Sequence, residues 1–261
     1  TAASRVQGIP AIVLEPAAER ARTTAPPAAD AGGHPGWLFQ LDQPTYVAIV
    51  THADDRDLRQ AVYRGWITRA SDEAGYSPDH DNSALIEQIL ALRHEAAGIV
   101  GYPNFAAYSL ATRMAKSVDE VKEFLVELVR HSRNAARTEL KELEDFAGRP
   151  LEPWDIAYYS EKLRHLKYSI SDEALRPYFP LPTVLAGLFA VVEKLYGIRI
   201  EPVAGVKAWE PHVGYFRLLD AGGREGGGFY TDFYARSTKR SGAWMDQCLN
   251  RLRGGPAPQG P

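Results

Sequence analysis

Apolar residues recur at three- and four-residue intervals from Ile9 to about Gly197, and beyond Gly197 they gather in short β-branched and aromatic runs divided by glycines. That change of period predicts a helical body followed by a small antiparallel sheet. Within the helical part, Ile9 to Arg22 reads as a helix whose first turn is restricted by Pro16. Thr23 to Gly36 holds Pro26, Pro27, Gly32, Gly33 and Pro35 among small residues and predicts a mobile loop. Trp37, Phe39 and Leu41 alternate with Leu38 and Gln40, the pattern of a short strand, and Pro44 then opens a helix through Val50.

Asp54 or Asp55 is placed to cap a helix through Leu58, Val62, Trp66 and Ile67. Asn82 or Ser83 can cap another through Leu85, Ile89 and Leu92, ended by Gly98 or Gly101. The longest element starts at Ser117-Val118-Asp119-Glu120, a capping box, and runs through Phe124, Leu128, Ala136 and Leu143 to Gly148. Its roughly thirty residues span about 45 Å. Helices follow over Pro153 to Lys167 and Pro182 to Tyr196, the second stopped by Gly197. Ile198–Ile200, Val206–Trp209, His212–Leu219 and Phe229–Tyr234 then read as strands, with the glycines from Gly222 to Gly228 as a hairpin turn. The resulting organisation is a helical scaffold over 1–197 with a flexible loop at 23–36, a sheet region over 198–248, and a disordered tail over 249–261.

Composition narrows the function classes. Thirty Lys and Arg against 33 Asp and Glu leave a net charge of −3, which supplies no attraction for a nucleic-acid backbone or an anionic membrane. One cysteine, Cys248, cannot form an intramolecular disulfide and points to a reducing, cytoplasmic setting. No apolar run approaches the roughly 18 residues of a membrane span. The start at Thr1 and the finish in Gly254-Gly255-Pro256 read as cut ends.

The residues that could carry chemistry form no complete centre. A helical zinc site needs two imidazoles one turn apart, yet His94-Glu95-Ala96-Ala97-Gly98 puts glycine where the second must stand. Glu127 with His131 and Glu161 with His165 have the right i,i+4 spacing, but such pairs are commoner as surface contacts. Cys248 lacks the local signature of a thiolate centre, no G-x-S-x-G elbow occurs, and the Gly222–Gly228 run lacks the Gly-Lys-Ser/Thr of a phosphate loop. Trp154, Tyr158, Tyr159, Tyr168, Tyr178 and Phe179 could line a peptide groove, although aromatics at helical spacing are usually core.

Longer blocks carry more information. Trp154-Asp155-Ile156-Ala157-Tyr158-Tyr159-Ser160-Glu161-Lys162, Leu175-Arg176-Pro177-Tyr178-Phe179-Pro180, and Phe229-Tyr230-Thr231-Asp232-Phe233-Tyr234-Ala235-Arg236 together resemble the thimet oligopeptidase family of zinc metallopeptidases. The likeness extends upstream through Trp37 to Asp42 and Thr68 to Asp72, and downstream to Gly242-Ala243-Trp244-Met245. It implies the helical body of a clamshell metallopeptidase that cuts short peptides in a deep channel. It also implies zinc held by an H-E-x-x-H helix and a later Glu, with the motif Glu as general base. None of those residues has a counterpart here, so the chain is expected to be an internal fragment, inactive alone and without bound zinc. Gly228, Phe229, Tyr230 and Asp232 are the candidates for lining the substrate channel, and the Phe229–Tyr234 region is expected to promote self-association. The competing reading is a non-catalytic helical module that binds peptides or a protein. A third possibility is a split enzyme completed by another chain.

Overall fold

A computed structural model describes residues 3–24, 36–73, 78–234, 236, 239 and 242–249. Polar side chains at the helix starts fix most of the helical boundaries. In the first of two units, Thr1–Ser169, the helices are α1 (Ala11–Thr24), α2 (Gln43–His52), α3 (Arg56–Ile67), α4 (Ser83–Ile99), α5 (Phe105–Leu110), α6 (Val118–Ala147) and α7 (Pro153–Tyr168). Asp42 accepts from the Thr45 N–H at 2.9 Å, Asp55 from Leu58 at 2.6 Å, Asn104 from Ala107 at 2.9 Å and Ser117 from Glu120 at 3.1 Å. Each bond satisfies a first-turn donor that the helix itself leaves free. The Glu120 carboxylate reaches past the cap to the Lys116 N–H, one residue earlier than the expected box requires. Gly148 ends α6 at φ +68°, a conformation that side chains with a Cβ resist. Ser117→Ala should lower stability by about 1 kcal/mol in urea denaturation, and an unchanged midpoint would show that the cap contributes nothing.

Val6, Ile9, Ile49, Ala53 and Leu58 form the buried core of this unit, with Val13, Leu14, Trp37, Phe39 and Val62 packed around it. The strand expected at Trp37–Leu41 is absent: residues 36–42 are irregular, and the Leu38 N–H donates to the Ala17 carbonyl at 3.0 Å. Trp37 and Phe39 bury against helices, so packing satisfies their alternation without any strand beside them. Pro16 lies inside α1 rather than at its start. Residues 25–35, most of the expected mobile loop, are outside the described residues.

The second unit, Ile170–Pro261, holds α8 (Asp172–Leu175), α9 (Leu181–Tyr196), β1 (Arg199–Pro202), β2 (Gly214–Leu219) and β3 (Glu225–Thr231). The three strands form an antiparallel sheet in the order β1-β2-β3, with Arg199 opposite Leu219 and Tyr215 opposite Tyr230. Phe189 of α9 meets Phe216 at 5.0 Å and Phe229 at 6.2 Å, and the latter two rings stack at 5.4 Å. These three rings tie the helix to one face of the sheet.

Two strand assignments differ from expectation. Val206–Trp209 is not a strand but part of the connection between β1 and β2. Gly226–Gly228 is not the hairpin turn but the middle of β3. The turn occupies Asp220 to Arg224, where the Asp220 carboxylate accepts the N–H groups of Gly222 at 2.9 Å and Arg224 at 3.0 Å. Gly222 and Gly223 lie inside this turn, Gly223 at φ +80°, and the Asp220 side chain closes it by mimicking a backbone acceptor. Most of the expected tail lies outside the described residues.

Candidate functional site

β3 carries the candidate residues, and the strand's two-residue period sorts them onto opposite faces. Phe229 points to the α9 side, where it packs against Phe189 and Phe216. Gly228 and Tyr230 belong to the other face. There Tyr230 lies 4.7 Å from Tyr215 and 5.2 Å from Trp209, the latter reaching over from the β1–β2 connection. Gly228 has no room for a side chain: a Cβ would stand 2.2 Å from the Tyr215 hydroxyl and 2.9 Å from the Phe216 carbonyl oxygen. At Gly226 and Gly227 a Cβ would meet nothing. Three successive glycines on the outer strand leave its main chain uncovered, a composition that permits close approach by another backbone.

Just past β3, Asp232 gathers a small ionic cluster. Its carboxylate accepts from the Trp209 indole N–H at 3.0 Å and from Arg236 at 2.9 Å, and Lys239 stands at 3.3 Å. Arg236 also reaches Glu210 at 3.5 Å. The hydrogen bond from Arg236, followed by that from Trp209, holds the Asp232 carboxyl far below the usual carboxylate range. It is therefore anionic at any physiological pH and serves as an acceptor, not a proton donor. Sequence reading singled out Asp232 but missed Trp209, which lies 23 residues away and shows no shared motif.

A second polar cluster lies in the helical unit. Asp155 is 0% exposed and receives Arg56 at 2.8 Å and Arg59 at 3.0 Å, the latter 2% exposed. Arg59 also donates to the carbonyls of Ala53 at 2.7 Å and Trp154 at 3.2 Å. Burial alone would raise the Asp155 carboxyl, but the hydrogen bonds from both guanidiniums and from the Glu152 N–H override it and hold the group below its ordinary range. Nearby, the Tyr158 phenol donates to Asp54 at 2.8 Å, and desolvation followed by this bond pushes it up to about 12. Asp155 and Arg59 at its centre are enclosed by the scaffold, so the cluster acts as a structural tie.

The aromatic groove candidates divide. Trp154 lies 5.8 Å from Tyr63, and Tyr159 lies 6.3 Å from Phe146, so these pack internally. Tyr168, Tyr178 and Phe179 are exposed.

The possible metal ligands stay apart. His131 sits 3.5 Å from Glu127 on an exposed face, and Arg130 approaches both at 3.2 and 3.3 Å, which places a fixed positive charge where a cation would have to sit. Glu161 pairs with Arg164 at 2.5 Å. Among the described residues no three His, Cys, Asp or Glu side chains converge on a point that could hold a metal ion. These residues therefore do not fit a zinc centre, which takes three or four such donors. Cys248 is exposed and belongs to no such group.

Residues 49–258, from the second helix through the Asp232 cluster, match Peptidase family M3. The chain belongs to this family. It is 45% identical over 240 residues to "Oligopeptidase A" of Salmonella typhimurium, covering 90% of this chain and 35% of that protein. It is 40% identical over 257 residues to "Probable cytosolic oligopeptidase A" of Arabidopsis thaliana, covering 95% and 36%. Against "Dipeptidyl carboxypeptidase" of Escherichia coli it is 31% identical over 216 residues, covering 80% and 31%. The chain thus spans about a third of the length of these M3 relatives. No helix among the described residues is long and apolar enough to cross a membrane.

Proposed function

We propose that these residues form a scaffold and one peptide-facing wall of a cytoplasmic M3 metallopeptidase that hydrolyses short peptides. On this reading 1–197 serves as the helical scaffold and 198–248 as the sheet that borders the substrate, with zinc and the hydrolytic groups supplied by polypeptide outside the 261 residues. The names of the relatives support the peptide substrate, and the Arabidopsis relative supports the cytoplasmic setting.

One observation carries the assignment of the wall. β3 is an edge strand of its sheet, and Gly226 and Gly227 carry no side chain to cover its outward N–H and C=O groups. An extended peptide can pair with such an edge as an added strand, its main chain supplying affinity and its alternate side chains supplying selectivity. Gly228 and Tyr230 then border the peptide on one face, and Asp232 braces the exit of the strand. Phe229 has a different role, anchoring the strand from behind through Phe189. The same bare edge, together with the exposed Phe233 and Tyr234, underlies self-association of the isolated chain.

An internally quenched peptide assay tests the reading, run with zinc and with chelator on this chain and on the longer polypeptide encoded around it. Zinc-dependent cleavage by the longer polypeptide and none by the 261-residue chain is expected. Cleavage by the 261-residue chain alone, or none by the longer one, defeats it.

A further inference from the structure

We propose that Trp209 forms a subsite for one apolar or aromatic side chain of a peptide lying along β3, with Asp232 as the positioning residue that holds the indole in place. The inference rests on the reading of β3 as a substrate wall and goes beyond it in naming the group recognised. Trp209 is 57% exposed, yet its ring is not free to turn. Its Nε1–H is bonded to Asp232, and its ring lies against Tyr230, itself backed by Tyr215. Asp232 is in turn clamped by Arg236 and Lys239. A large aromatic surface that is exposed but already ordered loses little side-chain entropy when a ligand covers it.

The surroundings leave room for that ligand. A shallow depression of about 310 Å³ is framed by Val206, Ala208, Trp209, Glu210, Pro211 and Val213. A strand added outside β3 directs every second side chain to the face that carries Tyr230 and Trp209. Glu210 stands at the rim, 41% exposed and paired with Arg236 at 3.5 Å, so the depression offers a carboxylate side chain no unpaired cation while an apolar one is accepted. Arg236 and Lys239 are engaged with Asp232 and Glu210, two cations against two carboxylates, so the cluster has no net charge with which to hold a charged side chain.

Three blocked pentapeptides that differ only at the central residue, Phe, Ala or Glu, test the proposal on the 261-residue chain. Binding is followed by amide exchange across 225–231 and by tryptophan emission, assigned to Trp209 by difference from Trp209→Phe. The Phe peptide is expected to bind about tenfold tighter than the Ala peptide, with the Glu peptide weakest. In Trp209→Ala the Phe preference falls to about twofold or less, Trp209→Phe restores part of it, and Asp232→Asn weakens it while circular dichroism stays unchanged. Protection of β3 by all three peptides without preference, or with a preference that survives Trp209→Ala, overturns the subsite and leaves the wall intact. Failure of every peptide to protect β3 in folded protein held monomeric by dilution overturns both.

Discussion

Asp155→Ala should lower the stability of the helical unit by about 3 to 5 kcal/mol, the usual loss when one partner of a buried ion pair is removed. The reason is the charge left behind. Arg59 is 2% exposed and Arg56 contributes a second guanidinium, so deleting the carboxylate strands positive charge where water cannot reach it. Native domains hold only about 5 to 15 kcal/mol in total, so the loss removes a large share of that margin. Asp155→Asn preserves shape but not charge and should lose nearly as much. Lys141→Ala, which breaks an exposed pair with Asp145, should change stability by about 0.5 kcal/mol or less. Urea midpoints of the three variants provide the measurement, and a loss under 1 kcal/mol for Asp155→Ala would refute the account.

Acid gives an independent handle on the same tie. The folded-state pKa of Asp155 is depressed, so its contribution is fully present above the unfolded value of about 3.9 and disappears as pH falls through the lower folded value. Asp55, held down chiefly by its hydrogen bond from Arg5, adds in the same direction. Stability should therefore be flat from neutrality to about pH 5 and fall steeply below it, with a shallower acid limb in Asp155→Asn.

Local chemistry was legible in the sequence, and long-range chemistry was not. Ser117 and Gly148 bound α6 because a cap depends only on residues three or four positions away. Asp155 bonded to Arg56 and Arg59 spans 96 to 99 residues, and no spacing rule connects them. The same holds for Trp209 and Asp232. Of the three strand readings that failed, two have a clear physical reason. Alternation at Trp37 to Leu41 records which side chains are buried, not whether a second strand is present to pair. Glycine at 226–228 suggests turn chemistry, whereas the turn closes at Asp220 and leaves these glycines in the edge strand. The recognisable blocks identified the family because 45% identity over 90% of the chain preserves order as well as composition.

Within the sheet, the glycine whose replacement matters most is Gly228. Gly228→Val should cost about 2 to 3 kcal/mol, at the upper end of what overpacking inflicts, because the new Cβ meets both a ring and a fixed carbonyl. Tyr215 could swing aside from a contact of 2.2 Å, but the Phe216 carbonyl oxygen at 2.9 Å belongs to the paired strand and cannot. Moving Tyr215 also separates it from Tyr230, so the aromatic face beneath Trp209 is lost with the space. Gly227→Val supplies the matched control: its Cβ meets nothing, and valine suits an extended backbone better than glycine. That variant should keep its thermal midpoint or gain slightly while weakening peptide protection of β3, because the added branch covers main chain that glycine left open. Comparing the two separates a glycine required by the fold from one required by access, and equal stability losses in both would erase the distinction.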